Sequence, residues 1–237
     1  GDTVSNWGSD NTTEISNQVD ADISNGIQFG IKVVGYTTLG DNAFNPGTVY
    51  TAIQYLHDVI FDKEDNEDNK LTTIGSQVLS SGSINSITIP SSVTSINRFA
   101  FNGSGIAEIN VDSANENYST GIMKATWGDY DGVLYNKAGT ELIIYPPSAS
   151  MGTIIIPEGV TTIKKDAFYS HSSVNTITLA STITTIEDNA FYNCYMLDEV
   201  FGLRSSMTIG SNAFQYTGVK EAFDIAKTIN DRSQTTG

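Results

Sequence analysis

Three stretches of this chain, TTIKKDAF ending at Phe168, TTIEDNAF ending at Phe191 and MTIGSNAF ending at Phe214, are variants of one phrase. The isoleucines (Ile163, Ile186, Ile209) and the phenylalanines alike follow one another at intervals of 23 residues. Self-similarity at a fixed period of this size marks a solenoid, in which each repeat buries its apolar face against its neighbour. Ile163, Phe168, Ile186, Phe191, Ile209 and Phe214 are therefore the expected repeat core. Such a stack produces an extended surface rather than a cleft, so binding is the default expectation.

A second apolar signature precedes the phrase, of the form I-x-x-I-x-I: Ile84, Ile87, Ile89, then Ile106, Ile109, Val111, then Val174, Ile177, Leu179. It fades into Leu197 with Val200, and Val219 with Ala222. Alternating β-branched residues predict one strand per repeat, and strands stacked in register make a parallel sheet. Turns follow at Ile89-Pro90-Ser91-Ser92 and Ile156-Pro157-Glu158-Gly159, where proline has no N–H to donate and ends the ladder. V-T-x-I (Val93 to Ile96, Val160 to Ile163, Ile183 to Ile186) then returns on the opposite side. The A-F pair closes the unit in a short helical or turn segment, its Phe plugging the core.

The units VTSINRFAF (Val93 to Phe101) and TTIEDNAFYNCYMLDEV (Thr184 to Val200) resemble the BspA-like branch of the leucine-rich-repeat superfamily. The resemblance covers about Ile84 to Phe223. It implies a repeat solenoid, leucine-rich-repeat-like, β-rich with short helical or turn segments, with a parallel sheet of one strand per repeat and an inserted hairpin. The insert is DGVLYNKAGTELIIYPPS, Asp131 to Ser148, whose apolar runs Val133 to Tyr135 and Leu142 to Tyr145 flank an Asn136-Lys137-Ala138-Gly139 turn. From Phe101 to Phe168 is 67 residues without an A-F pair. The polar loop Asp112 to Tyr130 and the hairpin are thus expected to replace one or two repeats and to project as a lobe. Members of this branch are bacterial surface or secreted proteins, often lipid-anchored, and several are adhesins. The resemblance implies an extracellular or cell-surface location, with any lipid anchor upstream of residue 1, and a protein or glycan partner. It transfers no ligand residue. The alternative is a structural or accessory module that presents a partner at the cell surface.

Toward the amino terminus, LGDNAF (Leu39 to Phe44) and LTTIGSQVL (Leu71 to Leu79, with Val78-Leu79 in place of A-F) extend the pattern. Val49, Ala52, Ile53, Leu56 and Val59 follow helical spacing, so a short helix at Thr48 to Tyr55 is expected to pass into a strand at Val59 to Phe61. Gly26 to Phe44 are candidates to cap the open end of the core. The expected division is a flexible tail over 1–25, a cap with irregular repeats over 26–82, repeats over 83–111, the insert over 112–150, repeats over 151–224 and a tail over 225–237, in a single solenoid domain.

Composition excludes several classes. The formal charge of −15, from 27 acidic and 12 basic residues, repels phosphate backbones and anionic lipid, which argues against nucleic-acid partners. No run of 18 apolar residues occurs, so direct membrane insertion is not expected. The opening at Gly1 without an initiator Met reads as a trimmed start. A single cysteine excludes an internal disulfide. Cys194 and His171 each lie three residues after a repeat phenylalanine, so they are expected to stack as buried fillers rather than to form a nucleophile pair. His57 has no pattern around it. Asp62 to Asn69 clusters hard oxygens but lacks the order of a calcium loop, and reads as a solvated loop. No phosphate-binding fingerprint appears, and neither a cofactor nor a catalytic residue is expected.

Two surfaces compete for a ligand. On the outer sheet face Thr88, Asn110, Thr178, Phe201 and Phe223 occupy equivalent places. The two phenylalanines there mark either a contact site or a cap under the carboxy-terminal tail. On the insert, Trp127, Tyr130 and Tyr135 either stack on a ligand or fill the hairpin's own core.

Overall fold

The computed structural model describes residues 3–4, 29–33, 38–41, 56–61, 71–79, 84–125 and 128–219. The chain forms two compact units, residues 1–118 with 146–148, and residues 119–145 with 149–237.

The first unit is built on parallel ladders. Two-residue strands β1 (Thr3–Val4), β3 (Thr38–Leu39), β5 (Thr73–Ile74) and β7 (Ser95–Ile96) pair in that order, with Leu39, Ile74 and Ile96 in register. The longer strands pair as β2 (Phe29–Val33) with β4 (Leu56–Phe61), and β6 (Ser86–Ile89) with β8 (Glu108–Val111). Val78-Leu79 does take the A-F place: both side chains are buried, and the Val78 N–H donates to Ala100 O at 2.8 Å. A flexible tail over 1–25 does not hold for Thr3 and Val4, which pair with Thr38 and Leu39. The open edge of a ladder offers unpaired N–H and C=O groups that an extended segment satisfies. The strand expected at Val59 starts earlier, at Leu56. The expected helix at Thr48 to Tyr55 and the acidic loop Asp62 to Asn69 lie outside the described residues.

Downstream, Asn115 is fully buried and uses its whole amide. Its Nδ2 donates to Pro90 O (2.7 Å) and Val93 O (3.0 Å), while its Oδ1 accepts from the Asn117 and Tyr118 N–H groups. One side chain thereby fastens the chain leaving this unit to the preceding turn.

In the second unit each repeat contributes two strands, so V-T-x-I forms a ladder of its own. The strands are β9 (Tyr118–Ala125), β10 (Gly128–Asn136), β11 (Glu141–Ile144), β12 (Gly152–Ile155), β13 (Thr162–Ile163), β14 (Val174–Thr178), β15 (Thr185–Ile186), β16 (Glu199–Phe201) and β17 (Thr208–Ile209). They join one sheet in the order β16-β14-β12-β9-β10-β11-β13-β15-β17. The hairpin turn is where the sequence puts it, closed by the Gly139 N–H on Asn136 O at 2.9 Å, with Gly139 at φ +69°. The insert is not a projecting lobe, however. β11 runs parallel to β13, pairing Leu142 with Ile163, and β9 pairs antiparallel with β12, Ala125 opposite Ile154. The insert therefore caps both ladders and the open end of the core, satisfying edges that would otherwise be bare.

The core is an aromatic stack. Tyr145, Phe168, Phe191 and Phe214 follow at ring-centroid steps of 4.8, 4.8 and 5.1 Å, all near-parallel. Ile163 and Ile186 are fully buried beside it, while Ile209 packs against it half-buried. The A-F segments are turns, each tied to the next by backbone bonds such as Phe168 N–H to Ala190 O and Phe191 N–H to Ala213 O, both 2.8 Å. Two residues before each phenylalanine the backbone is left-handed, at Asp166, Asn189 and Asn212, residue types that tolerate this region better than most.

Candidate binding surface

Alternation along β12, β14 and β16 decides what the second unit shows to solvent. Ile154, Ile177 and Val200 pair in register and point into the core, so the next row, Ile155, Thr178 and Phe201, points out. Ile155 is 41% and Phe201 53% exposed. Two strand spacings separate them, about 10 Å. β9 adds Ile122, also exposed, beyond Lys124, which pairs with Ile155. Grouped exposure of large apolar side chains on an outer sheet face marks contact sites, and the carboxy-terminal tail, the alternative cover for Phe201, lies outside the described residues.

Of the residues expected to bind a ligand, Phe201 is exposed as the alternation requires. Trp127 and Phe223 lie outside the described residues. Tyr130 and Tyr135 are buried, 6% and 2% exposed, and belong to the core cluster of the unit, which withdraws both from a ligand-contacting surface. Tyr130 packs on Tyr145 at 5.9 Å, and the Tyr135 ring lies so close to Gly121 that a Cβ there would overlap it. Burial pushes the phenols of Tyr135 and Tyr145 above their ordinary range. The hairpin spends its aromatics on closing the core.

Cys194 and His171 are buried as stacked fillers. The Cys194 thiol donates to Phe168 O at 2.9 Å, and burial pushes its pKa up to about 12, the opposite of what a reactive thiol needs. His171 sits edge-on to Tyr145 at 4.7 Å. Among the described residues no cluster of three metal-ligating side chains occurs, and there is no helix long and apolar enough to cross a membrane.

A further group of exposed residues went unread in the sequence. Tyr195 and Met196 stand where the preceding repeat has Ser172 and Ser173, and Tyr216 stands where preceding repeats have Ser170 and Asn193. Aligning the repeats position by position would have found them, because each replaces a small polar residue with a large one.

Two similarities bear on identity. A family model described as "BspA type Leucine rich repeat region" matches in six copies over residues 10–126 and 147–235. The chain belongs to the BspA-type leucine-rich-repeat family. The gap in the match, 127–146, falls on β10 and β11. Among solved structures, a leucine rich cell surface protein from Faecalibacterium prausnitzii is 21% identical with a TM-score of 0.52, covering 85% of this chain and 48% of its own. The pneumococcal vaccine antigen PcpA is 18% identical at TM-score 0.46, covering 75% and 51% respectively. A leucine-rich repeat protein from Eubacterium ventriosum is 20% identical at TM-score 0.41, covering 81% and 77%. The chain thus spans about half the length of the first two. Likeness at this identity carries the BspA-type fold alone. No curated protein matches the chain.

Proposed function

We propose that the chain is a non-enzymatic binding protein of the bacterial cell surface or exterior, which adheres to a protein or glycan of a host or neighbouring cell. The observation that carries this reading is the outward row of Ile155 and Phe201, both exposed on the sheet face. Three circumstances support it. The family is a repeat scaffold, one relative in fold is named a cell surface protein, and the only thiol is held protonated by burial. The ligand in this reading is neither nucleic acid nor anionic lipid, both of which a charge of −15 disfavours. An accessory module that only presents a partner is the competing reading. Probing immobilised matrix proteins and a glycan array with the purified chain separates the two. Saturable capture on one species supports adhesion, and silence on both supports the accessory role.

A further inference from the structure

The end of the second unit carries a surface that neither the repeat core nor the outer sheet face accounts for. Tyr169 and Tyr192 stack outside the core at 5.3 Å with their planes 7° apart, and Tyr216 meets Tyr192 edge-on at 5.3 Å. Tyr216 is 61% and Tyr195 60% exposed, and Met196 beside Tyr195 is exposed as well. The loop bearing Tyr216 is joined to the turn before β16 by the Gly218 N–H on Leu197 O at 2.8 Å, and the Asp198 carboxylate lies directly against Gly218. Tyr195 and Met196, just before Asp198 in sequence, and Tyr216, two residues before Gly218, therefore lie near the Asp198 carboxylate, whereas Glu199 points out on the sheet face with Phe201. The Asp198 carboxylate is exposed and meets no cation among the described residues.

The fold does not ask for these side chains. The equivalent pair one repeat earlier is Ser172 and Ser173. Tyr216 holds a left-handed backbone, φ +61°, where the earlier repeats use Ser170 and Asn193 at +57° and +60°. A large aromatic in that conformation is disfavoured and gains no burial in return. Between Asp188 and Val219 the one cation is Arg204, and its guanidinium is occupied by the carbonyls of Gly202, Ser181 and Ile183, while Lys220 lies outside the described residues.

We infer that this tyrosine and carboxylate patch docks an arginine-bearing segment of a protein partner. Guanidinium stacks on tyrosine rings and pairs through its fork with carboxylates, so exposed phenol rings beside a carboxylate that meets no cation among the described residues are complementary to it in both respects. The inference rests on the reading of the chain as a binding protein, and adds a partner chemistry at a second surface.

The test uses fluorescein-labelled dodecapeptides of alternating Arg-Gly, Lys-Gly and Glu-Gly, titrated with the full chain and followed by anisotropy. Arg-Gly is expected to bind more tightly than Lys-Gly, and Glu-Gly not at all. Tyr195→Ser with Tyr216→Asn should weaken Arg-Gly binding about tenfold, the product of two exposed cation–π contacts. Asp198→Asn should weaken it and flatten its salt dependence. Ile155→Thr with Phe201→Thr, on the other surface, should leave it unchanged. All these residues are exposed, and thermal unfolding of each variant confirms an intact fold. Equal binding of Arg-Gly and Lys-Gly with no loss in the tyrosine variant would reduce the effect to the overall acidic field and overturn the inference. So would absence of Arg-Gly binding. If the chain still captures a matrix protein or glycan in that event, the proposed function stands without this site.

Discussion

Phe191→Ala removes the ring held between Phe168 at 4.8 Å and Phe214 at 5.1 Å. Truncating a buried phenylalanine costs about 3–5 kcal/mol. Two features place this site in the upper part of that range. Two ring contacts disappear, each worth about 0.5–1.5 kcal/mol beyond area burial. The cavity also cannot close, because the backbone bonds from Phe168 N–H to Ala190 O and from Phe191 N–H to Ala213 O hold the turns apart at their present spacing. Phe214→Ala is the internal comparison: Phe214 is slightly exposed and stacks on Phe191 alone among the described residues, so its loss should cost less. Urea unfolding followed by far-UV circular dichroism measures both. With a slope of about 2 kcal/mol/M, a loss of about 4 kcal/mol lowers the midpoint by about 2 M. If the two units unfold separately, only the transition of the unit containing residue 191 should move. A midpoint unchanged within error, or a cost no greater than that of Phe214→Ala, would refute the argument from the stack.

Further outcomes follow from single sites. A thiol reagent at mild alkaline pH should label Cys194 slowly in the native protein and quickly after denaturation, because its pKa is raised to about 12; fast native labelling would contradict its burial. Gly210→Ala should destabilise by about 1–3 kcal/mol in the same urea assay, since a Cβ there would stand 2.6 Å from both Asp188 Oδ1 and Glu187 C; a neutral result would contradict the close approach of these turns. Glu158 accepts bonds from the Ser181 N–H and hydroxyl, which hold its carboxyl below the ordinary 4.5. The charged form is thus favoured in the folded state, and its contribution is present above pH 4.5 and lost as pH falls through the depressed folded value. The advantage of the parent over Glu158→Gln should accordingly shrink on acidification, and a constant difference across that window would count against the bond.

The repeat positions were legible because burial recurs with the period. Ile163, Phe168, Ile186 and Phe191 are apolar at a fixed interval only if one geometry repeats, and local pattern suffices to read that. The role of the insert was not legible in the same way. The pairing of Leu142 with Ile163 is a parallel contact between segments whose own patterns fit a free hairpin equally well. One signal was nonetheless available: Tyr145 precedes Phe168 by the repeat interval of 23 residues, and it starts the aromatic stack. A search for the A-F pair passed over it because Ile144 and Tyr145 share neither letter. The outer-face Phe201 was readable from strand alternation. The burial of Tyr130 and Tyr135 was not, since it depends on which face of the hairpin turns toward the core. Tyr195, Met196 and Tyr216 are exceptions to the repeat, so a reading that looked for agreement between repeats left them out.

Surface plasmon resonance on the matrix proteins and glycans that retain the chain is the most direct test of the account, comparing the parent with Ile155→Thr plus Phe201→Thr. Threonine already stands between them in the same row, at Thr178, so strand pairing survives the change. Loss of an aromatic anchor at an interface costs about 2 kcal/mol or more, roughly thirtyfold in affinity. The account predicts at least that weakening with unfolding midpoints unchanged. Binding equal to the parent would contradict the assignment of recognition to the outer sheet face.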